Sequence, residues 1–347
     1  MKSRERVLNM INHEKVDRIP SDIWCTKEVM KSLIKYFNVK NSNEVYNILG
    51  IDKIVFVEAN WKGDPDNKTN MWGSGLKEIF FPGGSYTEVI FYPLKGCQDE
   101  KVLINYKWPS LSELSFEKLY DDCEKNRHWV RMLIFISIFE HYCKLKPMDE
   151  SLMDLYLAPS FARALIKIIL DFEISYIERA FKTCGDMIDI VYLSDDMGMQ
   201  DRPLIPLEKW KEFFYEPYRN IIEFIKSYDK KVFYHSDGSA FDILKEMTNL
   251  GVDIINPIQY RCPGMEREKL KREIGNKVVF HGAVDNQQVL PFGSPTDVRK
   301  EVIDNLKILG MGGGYICAPC HNIQPGTPVE NIITLFETVK EMGSLYL

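Results

Sequence analysis

The chain reads as one α/β domain, a (β/α)8 TIM barrel with a hairpin-rich insertion after the second strand. Three observations predict this. Short apolar runs rich in β-branched residues recur through the 347 residues with helical stretches between them, and strands alternating with helical patterns are the mark of βαβ units. The length suits a single barrel, which takes about 250 residues and more with insertions. Polar residues of catalytic type collect where the apolar runs end, and the carboxyl ends of the strands are where such barrels build their sites.

The elements follow in order. Lys2 to His13 places Val7, Leu8 and Ile11 at helical spacing, which predicts a short amphipathic helix lying over one end of the fold. A first strand is predicted near 19–24, ending in Asp22, Trp24 and Cys25, with a helix over Glu28 to Phe37 after it. The β-branched run at 53–58 predicts a buried second strand that ends on Glu58. Residues 60–112 break the rhythm. Turn signals (Gly63-Asp-Pro65, Gly73, Gly75, Pro82-Gly-Gly84, Gly96) separate short alternating runs such as Tyr86 to Tyr92, which predicts antiparallel hairpins inserted within one 1–347 domain. Strand character returns at 132–139, followed by helices over 140–157 and 160–184 with Ala158-Pro159 as the break. Further strands are predicted near 188–193, 231–234, 252–255, 277–280 and 314–317, and a helix over Pro328 to Met342 closes the chain.

Composition excludes several classes. With 44 basic and 50 acidic residues the net charge is −6, and no basic block marks a nucleic-acid partner. Met1-Lys-Ser-Arg-Glu-Arg6 is followed by no apolar signal region, and the longest apolar run, Met132 to Phe139, is too short to span a bilayer. Eight scattered cysteines in a chain of this length read as thiols, so a reducing, cytoplasmic setting is expected. The rim of a barrel has room for a homodimer interface, which no motif specifies.

Two clusters carry the chemistry. His235-Ser-Asp237-Gly238 ends the fifth predicted strand, and Cys317-Ala-Pro-Cys320-His-Asn-Ile-Gln324 ends the eighth. His235, Asp237 and Cys320 supply imidazole, carboxylate and thiolate, a set zinc accepts while keeping a fourth position open. A satisfied hydrogen-bonding role for His235 and Asp237 is the competing reading. Cys317, inside the strand, reads as a core residue, and a dithiol reading of the CxxC spacing is disfavoured because no helix start follows it. Asp195-Asp196 after the fourth strand offers either a general acid or a helix cap, and Glu58 and Asp22 have similar standing. Trp24, Trp61, Trp72, Tyr86 and Tyr92 roof an apolar pocket or pack the insertion onto the barrel. His281 either polarises a substrate oxygen or is structural.

As a set, Ser3-Arg-Glu-Arg-Val-Leu8, Asp17-Arg-Ile-Pro20, Ser194-Asp-Asp-Met-Gly-Met-Gln200, His235-Ser-Asp-Gly238, Asn256-Pro-Ile-Gln259, His281-Gly-Ala-Val-Asp285 and Ala318-Pro-Cys-His-Asn-Ile-Gln-Pro325 resemble the uroporphyrinogen decarboxylase superfamily, and within it the cobamide-dependent methyltransferase branch. The true decarboxylases carry an arginine-rich segment after the first strand to hold a polycarboxylate. Asp22-Ile-Trp-Cys-Thr-Lys27 has no arginine, so heme-pathway decarboxylation is disfavoured. The methyltransferase branch holds zinc on a His-x-Cys pair and a later cysteine. His235 and Cys320 match two of these positions, and Asp237 stands where the third ligand would be a thiolate. A carboxylate donates less charge to zinc and leaves it a stronger Lewis acid.

The resemblance implies methyl transfer between a small methylated, methoxylated compound and a corrinoid (cobalamin) held on a partner protein. Zinc would sit on His235, Asp237 and Cys320, and Asp196 or Glu58 would serve the leaving group. Asp22, Trp24, Tyr92, Gln200, Asn256, Gln259 and His281 are assigned to substrate binding. Alternatives are methyl transfer from the corrinoid to a thiol, a decarboxylase of a smaller acid, and a non-catalytic tetrapyrrole-binding barrel.

Overall fold

The computed structural model describes residues 1–64, 66, 68–81 and 84–347. Its centre is a parallel sheet of seven strands that pair in chain order: Ile54–Val57, Val130–Ile136, Ile190–Ser194, Lys231–His235, Ile254–Asn256, Val279–Val284 and Tyr315–Pro319. Helices follow the strands and cover the outside, the longest being Pro159–Cys184. Each of these strands was expected, to within a few residues at its ends.

The predicted strand near 19–24 is the departure. It makes only two isolated parallel bridges, Ser21 to Cys317 and Cys25 to Ile323. Even so, it fills the gap between the last strand and the first. Cys317 N donates to Pro20 O at 2.9 Å and Asp22 N to Cys317 O at 3.0 Å on one side, and Asp52 N donates to Ser21 O at 2.7 Å on the other. The reason it is no regular strand is chemical. Pro20 has no N–H to give, and Ile54 N bonds the Asp22 carboxylate at 3.2 Å where a ladder would offer a main-chain carbonyl. On that side the seam is therefore closed by one main-chain bond and one side-chain bond.

Residues alternate along each strand between the barrel interior and the helical shell. Ile54, Val130, Met132, Ile190, Phe233, Ile254, Val279 and Ile316 form the interior core, and Val7, Met10 and Ile11 of the helix Ser3–Ile11 plug it from below. Val191, Val232, Tyr234, Ile255 and Phe280 point the other way, into the larger core against the helices.

The insertion is present as expected. Its hairpin pairs Gly75–Phe81 with Gly84–Phe91, and its ends are tied by the short antiparallel pair Asn60–Trp61 and Leu114–Ser115. The turn signals at Pro65 and Pro82-Gly83 lie outside the described residues. Trp72 is buried against His141, with ring centroids 4.9 Å apart, and so fastens the insertion to the barrel. Helices at Ser42–Leu49, Phe116–Lys125 and Arg267–Ile274 were not expected, and Pro147 splits the helix predicted over 140–157 into Phe139–Leu145 and Met148–Leu157. No helix among the described residues is long and apolar enough to cross a membrane.

Candidate functional site

Strand alternation builds the site one layer at a time. Phe233 lies in the interior core, so His235, two residues on, projects into the same space. The register sets Ser194 beside His235 and His235 beside Asn256, while Phe280 pairs with Ile255 and so brings His281 next to Asn256. These side chains form a polar layer above the apolar one. Trp24 lies under them, with its ring centroid 6.0 Å from that of His235 and 5.4 Å from that of His281.

Above this layer the loops after two strands are clasped together. Met197 N donates to Ser236 Oγ at 2.9 Å, Ser239 N to Met199 O at 2.8 Å, and Asp237 N to Asp196 Oδ1 at 2.9 Å. The crossing is close because Gly198 faces Gly238: a Cβ on Gly198 would sit 2.4 Å from Asp237 O. Gly238 itself has φ +81°, a left-handed backbone that glycine adopts without strain.

The clasp brings together Asp196, His235 and Asp237, each offering a ligand atom within 4.8 Å of the others. His235 Nε2 is 3.6 Å from Asp196 Oδ1 and 3.9 Å from Asp237 Oδ2. Asp237 Oδ1 is buried and has no hydrogen-bond partner among the described residues. Burial pushes the Asp237 carboxyl upward, the nearby Asp196 adds to the shift, and His235 and His321 oppose it. A desolvated carboxylate with an orphaned oxygen, set against a second carboxylate and an imidazole nitrogen, is short of a positive partner. The donor set fits a divalent ion that takes nitrogen and oxygen ligands, zinc included.

Cys320 does not join the group. Its Sγ lies 3.4 Å from the Ile258 carbonyl oxygen, and burial holds the thiol well above its ordinary range. It lines a separate cavity of about 190 Å³ with Gln200, Gln259, Arg261, Cys262 and Asp285. Gln259 is already engaged, accepting from Gly238 N at 2.5 Å. Cys317 is a core residue whose thiol burial raises to about 12.

Asp22, Asn256 and His281 are fully buried, and the first two each contact His281. His235 Nδ1 is 2.6 Å from Asn256 Oδ1, Asn256 Nδ2 is 2.8 Å from His281 Nδ1, and His281 Nε2 is 3.2 Å from Asp22 Oδ2. Asp195 is also sealed. It accepts from Ser137 Oγ, Ile138 N and Glu140 N, at 2.7, 2.9 and 2.7 Å, and so caps the helix Phe139–Leu145. Its neighbour Asp196 is the more open member of the pair, with 49% of its side chain exposed. Glu58 is not part of the cluster; burial raises it to about 7, with Lys118 opposing and Asp122 adding to the shift from the helix Phe116–Lys125. Tyr92 directly follows the second arm of the hairpin, Gly84–Phe91.

Beside the cluster opens a cavity of about 240 Å³. Trp24, Phe56, Ile134, Ile136 and Tyr192 form its apolar walls, while His235, Glu140, Lys144 and His321 are among its polar groups. Glu140 bonds Ser194 Oγ at 3.0 Å and lies 3.7 Å from Lys144 Nζ, and burial raises its carboxyl. Sequence reasoning passed over Glu140, Lys144, Tyr192 and His321. Tyr192 had a readable signal, since it shares the interior face of its strand with Ile190.

Comparison with known proteins bears on family and fold. The family described as uroporphyrinogen decarboxylase (URO-D) matches residues 143–342, more than half of the chain. The uroporphyrinogen decarboxylase of Coxiella burnetii (strain RSA 493 / Nine Mile phase I) is 25% identical over 194 residues, 54% of this chain and 50% of its own. That of Prochlorococcus marinus (strain MIT 9211) is 32% identical over 138 residues, 39% of this chain and 37% of its own. The match thus spans half or less of the length of these relatives. A methyltransferase from Methanosarcina mazei superposes over 99% of both chains with a TM-score of 0.74 at 16% identity, a likeness of fold. The matched region carries the strand ends that bear Asp196, His235 and Asp237, and the chain belongs to the uroporphyrinogen decarboxylase family.

Proposed function

We propose that the protein is a metal-dependent methyltransferase that moves a methyl group between a small methylated compound, foremost a methyl ether, and a corrinoid carried by a separate protein. Asp196, His235 and Asp237 are the proposed zinc ligands. The observation that carries the reading is the convergence of these three groups on one point with Asp237 Oδ1 left unpartnered. Bound there, zinc would supply Lewis acidity toward the methyl-bearing heteroatom.

The chain's own groups account for the rest. Trp24, Phe56 and Tyr192 wall the cavity and exclude water from the reacting bond. At about 240 Å³ the cavity is below the roughly 300–1,000 Å³ of pockets that take drug-sized ligands, which suits a small substrate. Breaking a methyl–oxygen bond leaves an oxygen that needs a proton. Glu140 lines the cavity with a carboxyl that keeps its proton to higher pH than an ordinary glutamate, so it is better placed for that task than Glu58. The free thiols suit a reducing, cytoplasmic setting. The superposition on a methyltransferase supports this reading.

The test is demethylation of candidate methyl ethers by zinc-loaded protein with reduced cobalamin as acceptor. Methylcobalamin formation that disappears in His235→Ala is expected. Zinc bound without turnover, using ethers as donors or thiols as acceptors, would sink the proposal. A second reading, decarboxylation of a small acid, is favoured by the relatives' names and by Lys144 at the cavity, a cation that could hold a carboxylate. Carbon dioxide release without added corrinoid would select it. Among the described residues no arginine lines the cavity, which disfavours a polycarboxylate substrate.

A further inference from the structure

Four buried groups connect the barrel seam to the candidate centre: Asp22, His281, Asn256 and His235, joined by contacts of 3.2, 2.8 and 2.6 Å. We infer that Asp22, His281 and Asn256 are positioning residues forming a directed hydrogen-bond relay, which holds His235 as the Nδ1–H tautomer and turns its Nε2 lone pair toward Asp196 and Asp237.

The direction follows from donor and acceptor chemistry. Asp22 collects main-chain N–H from Ile23 at 2.8 Å and Ile54 at 3.2 Å, Trp24 Nε1–H at 3.0 Å and Lys53 Nζ at 3.1 Å. A carboxylate surrounded in this way is ionised and can only accept, in keeping with its lowered pKa, since Lys53 and His281 outweigh the cost of burial. His281 Nε2 must therefore carry the proton it shares with Asp22. Burial lowers the pKa of His281 and favours the neutral ring, so Nδ1 is an acceptor. Of the two ends of the Asn256 amide, only the NH2 can satisfy that acceptor, and the same NH2 lies 3.3 Å from His281 O. The amide oxygen is then left facing His235 Nδ1, where it can only accept. The proton of neutral His235 is drawn to Nδ1, and its metal-binding nitrogen is free. Reversing any one link would set two donors or two acceptors face to face, and a buried group left without its partner forfeits the hydrogen bonds it would make to water.

The inference concerns the metal-free chain and rests on the proposed function only for the ion that would use the lone pair. Its test is nitrogen NMR of metal-free protein labelled at its six histidines, recorded about two units above the ordinary histidine pKa so that imidazoles are neutral. Wild type is expected to show His235 protonated at Nδ1 and His281 at Nε2. Either tautomer reversed would overturn the relay, and this reading needs no variant to fold. In Asn256→Leu, His281 should keep its Nε2 proton while His235 becomes a mixture of tautomers, and zinc affinity measured against a chromophoric chelator should fall about tenfold to a hundredfold, as when a group behind a ligating histidine is lost. A folded Asn256→Leu protein with an unchanged His235 tautomer would also overturn it. Failure of the wild type to bind zinc would instead count against the proposed function and leave the spectra to judge the relay.

Discussion

Oδ1 of Asp196 lies 3.6 Å from His235 Nε2 and accepts the Asp237 main-chain N–H at 2.9 Å. One oxygen therefore faces the imidazole at the end of one strand while pinning the loop that holds the second carboxylate. The proposed ligand set and the loop clasp are a single arrangement, so changes to either should be read out in metal binding.

Removing the ligands is the direct check. His235→Ala and Asp237→Ala should each abolish near-stoichiometric zinc measured by elemental analysis after dialysis, and Asp196→Ala should weaken binding. Cys320→Ser should retain zinc, because its sulfur faces the Ile258 carbonyl at 3.4 Å. Loss of zinc in the cysteine variant with retention in Asp196→Ala would return the site to the His235, Asp237 and Cys320 set.

Cobalt substitution tests the same assignment by spectroscopy. Wild-type protein loaded with Co(II) should lack the near-ultraviolet charge-transfer band of a thiolate ligand. Asp237→Cys should gain it, since a soft thiolate would then replace the carboxylate. A strong thiolate band in the wild type would show Cys320 to be a ligand.

Gly198→Ala probes the clasp. The added Cβ would meet Asp237 O at 2.4 Å and Ser239 N at 2.7 Å, and main-chain atoms cannot yield without moving the loop. A loss of about 1–3 kcal/mol in denaturant unfolding is expected, with weaker zinc binding. Gly96→Ala, where among the described residues nothing beyond its chain neighbours lies within 4 Å of the added Cβ, is the control for space, and its φ of +73° adds backbone strain.

Glu58 gives a pH dependence separate from the centre. Its folded pKa is raised from 4.5 to about 7 by burial. The folded state therefore binds the proton more tightly than the unfolded chain does. The corresponding stability is complete below 4.5 and is lost as pH rises through about 7. Glu58→Gln should flatten the stability profile across that window and leave the protein more stable than wild type above it, by about 1–2 kcal/mol once partial exposure is discounted. Urea midpoints at pH 5 and pH 8 that shift equally in wild type and variant would refute it.

The strands were legible because both of their faces are buried, which turns them into apolar β-branched runs such as Ile188 to Leu193 and Val252 to Ile255. The segment near 19–24 was legible as to place and not as to form, since periodicity says nothing of a carboxylate doing a carbonyl's work. His235 and Asp237 could be read from the strand end. The choice between Cys320 and His321 could not, because the path of the loop after Pro319 decides which side chain turns toward the cavity. Glu140 and Lys144 were missed for a related reason. They sit on the helix that follows a strand, where charged residues ordinarily mark a solvated face. Asp22, Asn256 and His281 were picked out correctly as polar groups at strand ends, yet they face one another inside the barrel, and only packing reveals that.

The seam at Asp22 has an evolutionary consequence. Asp22, whose main-chain N–H meets Cys317 O and whose carboxylate meets Ile54 N, is also the far anchor of the groups behind His235. Selection for a robust scaffold and selection for a working centre therefore fall on the same side chain. A substitution at Asp22 would therefore be penalised twice, once in the closure of the sheet and once in the support of His235.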